Sequence, residues 1–492
     1  MIDEKVNWQS KNELVFGTTV STKSLDPANG YSGWFTVRYG VSETLFKLND
    51  NMEVIPWLAK EYNQIDNNTW EIKIKENIKF QNDKTLTPQA VKLSIERTLK
   101  LNARALDTLK IKKITTTKDS IIITTSEENP TLINDLCDPF VSIIDVYEKD
   151  NDNCPVGTGP FKVDKFRASG TSYFVKNENY WNGDVNVDEI TVRTISDGDT
   201  LAMALQSGEI DAAYGMAYAS YPLFENDNYK FTSIQTSRCF WGMMNLHKEN
   251  SGYTIMSDPA VRKAIAMGIN KQDFVDVLLN GYGYTATGAF PDSFAFGQGI
   301  QTVSFDPDQA RAELEAAGWV DTDGDGIREK NGVKLTIRWL TYPSRQELPL
   351  LAESAQSTLK DIGIDVQINC TKDHNSIRKD PTAWDIWVSA NVNAGLGDPQ
   401  NFFDTYCLDK SVKNSGGHHS DKLEKLAVQL RTTFDPAERA KIAVEMQQQL
   451  LDDNSYVFCS FLRMSMIMKA NVSGLEAHTC DFYELTADLD IQ

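Results

Sequence analysis

An α/β chain with mixed sheets, folded in at least two lobes, is what this sequence predicts, and three observations carry that. First, at 492 residues the chain is too long for a single hydrophobic core. Second, Cys154 to Ala213 reads as strand, turn, strand, helix, strand. Third, short alternating apolar runs and helical-period runs interleave along nearly the whole length.

The elements follow in order. Leu14–Thr19 reads as a strand, and Ser24–Ala28 turns the chain. A helix is expected over Pro88–Leu101, with Val91, Ile95 and Leu99 at helical spacing and Pro88 in the first turn. Ile111–Thr125 reads as a hairpin. Gly157, Gly159 and Pro160 make a tight turn into a strand over Phe161–Phe166. Asn179–Gly183 is a second turn, with two aromatics just before its glycine. Glu189–Thr194 alternates as a half-buried strand. Asp197 or Asp199 caps a short helix that Gly208 ends, and Ile210–Ala213 starts another strand. Trp241–Leu246 leaves the first lobe. Ser257-Asp258-Pro259 opens a capped helix, and Asp308–Ala317 is helical up to Gly318. Strands over Leu335–Leu340 and Ile364–Asn369 flank a helix over Gln346–Asp361. A strand over Trp384–Ala390 follows, then helices over Ser420–Thr432 and Pro436–Leu451. The apolar run Val457–Met468 returns to the first lobe.

Composition narrows the function classes. Net charge is −20, which argues against nucleic acid and against a basic membrane-binding patch. No stretch approaches the ~20 apolar residues of a membrane helix. Seven cysteines are scattered without a CxxC, so neither a zinc knuckle nor a dithiol motif is indicated. Most read as small buried hydrophobes. The motifs G-x-S-x-G, H-E-x-x-H and G-x-x-x-x-G-K-[ST] do not occur.

Two stretches invite a metal. Asp321-Thr322-Asp323-Gly324-Asp325-Gly326-Ile327 opens like a calcium loop, but position 12 is Gly332 where a bidentate acid is required; an acidic turn is expected. Gly416-Gly417-His418-His419-Ser420-Asp421 places two of the chain's five histidines side by side on a glycine-rich loop before a helix. Imidazole suits nickel, copper and zinc. An exposed loop pair, or His419 capping the helix, is the plainer reading.

Pro155-Val156-Gly157-Thr158-Gly159-Pro160-Phe161, Asn179-Tyr180-Trp181, Ala204–Asp211 and Asp258–Ile265 together resemble the peptide/nickel-type (family 5) solute-binding proteins of ABC importers. The resemblance covers nearly the whole chain. It implies a two-lobed periplasmic-binding-protein-like fold of the large cluster, with an extra subdomain and a hinge between lobes. Lobe 1 would span 1–245, with an inserted subdomain about 46–160. Lobe 2 would span 246–462, and 463–492 would return to lobe 1. It implies an extracytoplasmic receptor without catalysis, monomeric, delivering a ligand to an ABC permease. Such a protein is lipid-anchored or periplasmic, so the charged opening Met1–Lys5 implies that leader and lipid-carrying cysteine are absent from this sequence.

The same resemblance points to ligand residues. Arg104 falls where nickel-binding members grip a chelator's carboxylate, and His418 or His419 where they ligate the metal. Asp138 falls where those members carry a second arginine, so the charge is inverted. Dipeptide-type members anchor an ammonium on an aspartate whose match here is Gly395, with Asp398 close by. Tyr31, Trp34, Trp241, Trp384 and Trp387 fall in cleft-facing segments. The expected cargo is nickel or another transition metal with an organic chelator such as histidine. The alternatives are a short peptide or amino-acid derivative, held with Asp138 and Arg104 at opposite charged ends, and a metal-dependent hydrolase around the histidine pair.

Overall fold

The computed structural model describes residues 12–492. Met1–Lys5, on which the reading of a missing leader rests, lie outside the described residues. The chain forms two compact units, residues 12–234 with Met464–Gln492, and Gln235–Arg463. It passes between them inside two long strands, Tyr229–Met244 and Tyr456–Lys469. The sequence put the first passage near Asn245. The sequence expects a charged strand before Trp241, and that strand and the apolar run after it are one element, half-buried in its first half and buried in its second.

In the first unit, strand Glu13–Thr18 is central. It runs parallel to Glu189–Thr194 on one side and to Ala212–Tyr214 on the other. Glu189–Thr194 continues antiparallel to Thr171–Lys176, which pairs with Phe161–Lys165. The core of this sheet includes Leu14, Phe16, Phe161, Phe174, Ile190 and Met466, each nearly inaccessible. Each such side chain contributes roughly 1.5–3 kcal/mol. A separate antiparallel sheet is built from Ala59–Asp66, Thr69–Ile74, Ser120–Thr125 and Ile111–Thr116, the last two being the expected hairpin. Helix Pro88–Leu101 starts from Thr87, whose side chain accepts from Ala90 N.

The Gly157–Phe161 turn shows why its residues are what they are. A Cβ on Gly157 or Gly159 would meet a backbone oxygen, of Val41 or of Gly40, at 2.2 Å. Gln81 locks the turn by donating from Nε2 to the carbonyls of Val41, Gly159 and Phe161 while accepting from Gly157 N. Beside it Glu43 is buried and accepts three hydrogen bonds of 2.7 Å, from the Thr158 and Tyr180 hydroxyls and the Trp181 indole. One carboxylate thus ties together three stretches far apart in sequence. Burial pushes its pKa up to about 7, against the pull of these hydrogen bonds.

In the second unit, Thr336–Thr341 runs parallel to both Asp365–Cys370 and Ile386–Val392. Ile386–Val392 pairs antiparallel with Tyr229–Met244, Ser389 facing Trp241. The helices begin on acidic or hydroxyl caps: Asp258 before Pro259–Gly268, Asp306 before Pro307–Ala316, Ser420 before Asp421–Thr432 and Asp435 before Pro436–Asp452. Helix Glu347–Lys360 links the two parallel strands. The shorter helix Gly198–Gln206 of the first unit takes Asp197, not Asp199, as its cap. All seven cysteines are unbridged and five are buried.

Candidate functional site

The first unit gathers Tyr31, Trp34, Arg104 and Asp138. Trp34 lies on the short helix Gly33–Arg38. Arg104 is the second residue of helix Ala103–Leu109, whose cap Asn102 accepts from Arg104 N and donates to Gly30 O at 3.1 Å. That second bond ties the arginine's helix to the turn carrying Tyr31. Asp138 caps the short turn Pro139–Val141 by accepting from Phe140 N.

Arg104 and Asp138 meet as a bidentate pair, Nη1 to Oδ2 at 3.1 Å and Nη2 to Oδ1 at 3.2 Å. The guanidinium lies between two rings, 4.5 Å from the Tyr31 centroid and 4.6 Å from that of Phe140. Such stacking suits a planar, weakly hydrated cation. Burial holds the Asp138 carboxyl above its ordinary range despite Arg104. Arg104 Nε and the Trp34 indole N–H are buried without a hydrogen-bond partner. Tyr31 is 58% exposed.

The second unit places Trp241 against Trp387, edge to face at 5.6 Å. Both indoles are buried and neither N–H has a partner. Trp384, expected as part of an aromatic wall, is instead a core residue, wholly inaccessible, with its N–H donated to Arg378 O. It precedes the strand, whereas Trp387, Ser389 and Asn391 alternate along one face of it.

Residues that the sequence did not single out surround Trp387. The Arg378 guanidinium lies 4.7 Å from its ring centroid. His374 is nearly parallel to it at 6.4 Å and stacks on Tyr342 at 4.1 Å. Lys413 Nζ donates to the Tyr406 hydroxyl, which donates to Asn391 Oδ1. A cation at i and an imidazole at i−4, before a tryptophan strand, is the trace they leave in sequence. Asp380, two residues from Arg378, hides it by suggesting an ion pair; its carboxylate binds Thr382 instead.

His418 and His419 part company. His418 is buried, its Nε2 held 2.8 Å from Asp453 Oδ2, and its Nδ1 has no partner. Burial raises Asp453, but the hydrogen bonds from His418 and Gln449 outweigh it and bring its pKa below the ordinary range. His419 is exposed, its Nδ1 2.9 Å from Asp409 and its Nε2 3.5 Å from Asp421. The hydrogen bond with Asp409 raises its pKa, which favours the protonated ring over the neutral one that a metal binds.

Asp398 is bound twice by Arg439, at 2.8 and 2.9 Å. Asp321, Asp323 and Asp325 converge on an exposed loop, where Asp321 accepts from Gly324 N and Gly326 N and the Lys334 ammonium pairs with the other two. Among the described residues this is the one group of three or more acidic, histidine or cysteine side chains close enough to share an ion. No helix among them is long and apolar enough to cross a membrane.

Residues 53–414 match the model of the bacterial extracellular solute-binding proteins, family 5, middle region. The nickel-binding protein NikA of Staphylococcus aureus (strain NCTC 8325) is 29% identical over 455 residues, covering 91% of this chain and 88% of its own. A nickel ABC transporter structure from Bacillus halodurans superposes with a TM-score of 0.83 at 30% identity, covering 98% of this chain and all of the other. NikA from Staphylococcus aureus in complex with Ni(L-His)2 superposes with a TM-score of 0.81 at 26% identity, covering 98% and 100%. The family match spans well over half of this sequence, and the chain belongs to the family 5 bacterial extracellular solute-binding proteins.

Proposed function

We propose that this chain is the extracytoplasmic receptor of an ABC importer, and that its cargo is nickel carried by a small carboxylate-bearing chelator such as histidine. It is a binding protein without a catalytic step. The two units act as lobes that close on the cargo, and the closed form is what the permease receives.

One observation carries the chelate part of this reading. His418 has a free Nδ1 backed by a carboxylate on Nε2, the arrangement that orients a metal-ligating imidazole. No described cluster adds two further protein ligands to it. A metal taken up by one imidazole must arrive with most of its coordination shell already filled. Arg104 and Trp34, each with an unpaired buried N–H, are donors for the chelator's oxygens. The peptide reading loses support because Arg104 and Asp138, its two charged anchors, engage each other.

Native mass spectrometry of protein purified without added chelators, then incubated with nickel and L-histidine, tests this. One nickel with one or two histidines per chain is expected. A bound peptide that nickel–histidine does not displace would overturn the reading.

A further inference from the structure

The first unit holds a cavity of about 580 Å³ whose lining includes Glu43, Trp57, Tyr180, Tyr483 and Glu484. Tyr31, Trp34, Arg104 and Asp138 take no part in that lining, so the cavity is separate from the candidate cargo residues of the same unit. Two carboxyls in its wall are almost wholly inaccessible, Glu43 and Glu484. Glu43 is held by neutral donors only, the Thr158 and Tyr180 hydroxyls and the Trp181 indole. Glu484 has less: its Oε1 lies 3.3 Å from Arg38 Nε, yet accepts no hydrogen bond. Arg38 is already committed to Asp481, Nε donating to its carbonyl and Nη2 pairing with its Oδ1, each at 2.8 Å. Two carboxylates therefore share one guanidinium, and Glu484 is the one left over. The lysine in the lining, Lys47, stacks on Trp57 at 5.4 Å and pairs with neither Glu43 nor Glu484. Burial pushes the pKa of both carboxyls up to about 7. Around them the exposed part of the lining adds Asp50, Glu476 and Asp488, a field that draws cations. A buried carboxylate without a hydrogen bond is costly to keep, and this one stands beside a space that a donor can enter.

We propose that this cavity is a second binding site, for a small organic amine whose ammonium pairs with Glu484 and whose apolar stem packs on Trp57 and Tyr483. An ammonium brings a charge and three donors, and so supplies what Glu484 lacks. The Trp57 and Tyr483 rings meet edge to face at 5.4 Å and form one apolar wall next to that carboxylate, a surface that also favours a cation over a ring face. An anionic ligand is disfavoured by the acidic lining. The site goes beyond the nickel reading and does not depend on it.

The test is calorimetry on the full chain near neutral pH with two matched pairs of probes, pentylamine against pentanol and phenethylamine against phenethyl alcohol. The parent is expected to bind an amine about tenfold or more tightly than its alcohol. Glu484→Gln keeps the shape and removes the charge, so the preference for the amine collapses towards unity. Ala487→Phe leaves Glu484 in place and narrows the cavity it lines, so the amine is lost while the thermal midpoint shows a folded protein. Amine binding to the parent should leave the retention of nickel–histidine unchanged. A parent that binds no amine overturns the proposal. So does a preference that survives Glu484→Gln, or amine binding unchanged in Ala487→Phe, which keeps the test decisive should Glu484→Gln fail to fold. Competition between amine and nickel–histidine would put the amine among the cargo residues and also overturn it. A parent that binds amines but not nickel–histidine would refute the nickel reading and leave this site standing.

Discussion

Arg104 and Asp138, 34 residues apart in sequence, form a bidentate ion pair between the rings of Tyr31 and Phe140. Two residues that the sequence suggests as separate ligand contacts are one internal pair, with Arg104 Nε left without a partner.

Removing either partner should have unequal effects. Arg104→Ala leaves a buried, unpaired Asp138; Asp138→Asn keeps the oxygen that caps Phe140 N. Arg104 is about a third exposed, so the cost lies below that of a fully buried pair. Urea unfolding should show a loss of about 1–2 kcal/mol for Asp138→Asn and a larger one for Arg104→Ala. The reverse order would mean that the pair is not what holds this surface.

Glu43 should be more sensitive. Glu43→Ala strands three buried donors, at about 1–3 kcal/mol each. A loss of ~3 kcal/mol or more is expected, whereas Glu43→Gln retains an acceptor and most of the stability.

The pH profile of the parent carries the same signature. The folded pKa of Glu43 is raised from 4.5 to about 7, so the folded state holds a proton that the unfolded chain has released. Stability from this group is full below pH 4.5 and is lost as pH rises through 7. Glu484, raised to about 7 by burial, adds the same trend. Unfolding measured from pH 4 to 8 should show a shallower decline in Glu43→Gln than in the parent.

The two histidines should separate cleanly. His419→Ala is expected to leave the retention of nickel–histidine unchanged. His418→Ala should weaken it at least tenfold with the fold intact, given the Asp453 partner that fixes the ring. Equal effects of the two changes would place the metal elsewhere.

How far the sequence could be read depends on the range of the interaction. Caps and turns are local, and Asp258-Pro259, Gly208 and Gly157–Pro160 all lie where short-range rules put them. The half of strand Tyr229–Met244 before Trp241 reads in the sequence as a charged strand without bounds, because its half-buried residues carry no clear period. The Glu43 knot was not legible, since its donors come from 115 to 138 residues away. For the candidate site, residue types were readable and partnerships were not. Arg104 and Asp138 were both singled out, yet as opposite ends of a ligand. Arg378 and His374 escaped notice because what distinguishes them is their stacking around Trp387 and Tyr342, which only three-dimensional contacts disclose.

The central claim is that the metal is captured with its chelator and not as a bare ion. Equilibrium dialysis of radioactive nickel against the full chain, with and without L-histidine, tests it most directly. The account predicts about one nickel retained per chain with histidine and little without it. Equal retention in both arms would contradict it, as would no retention with histidine present.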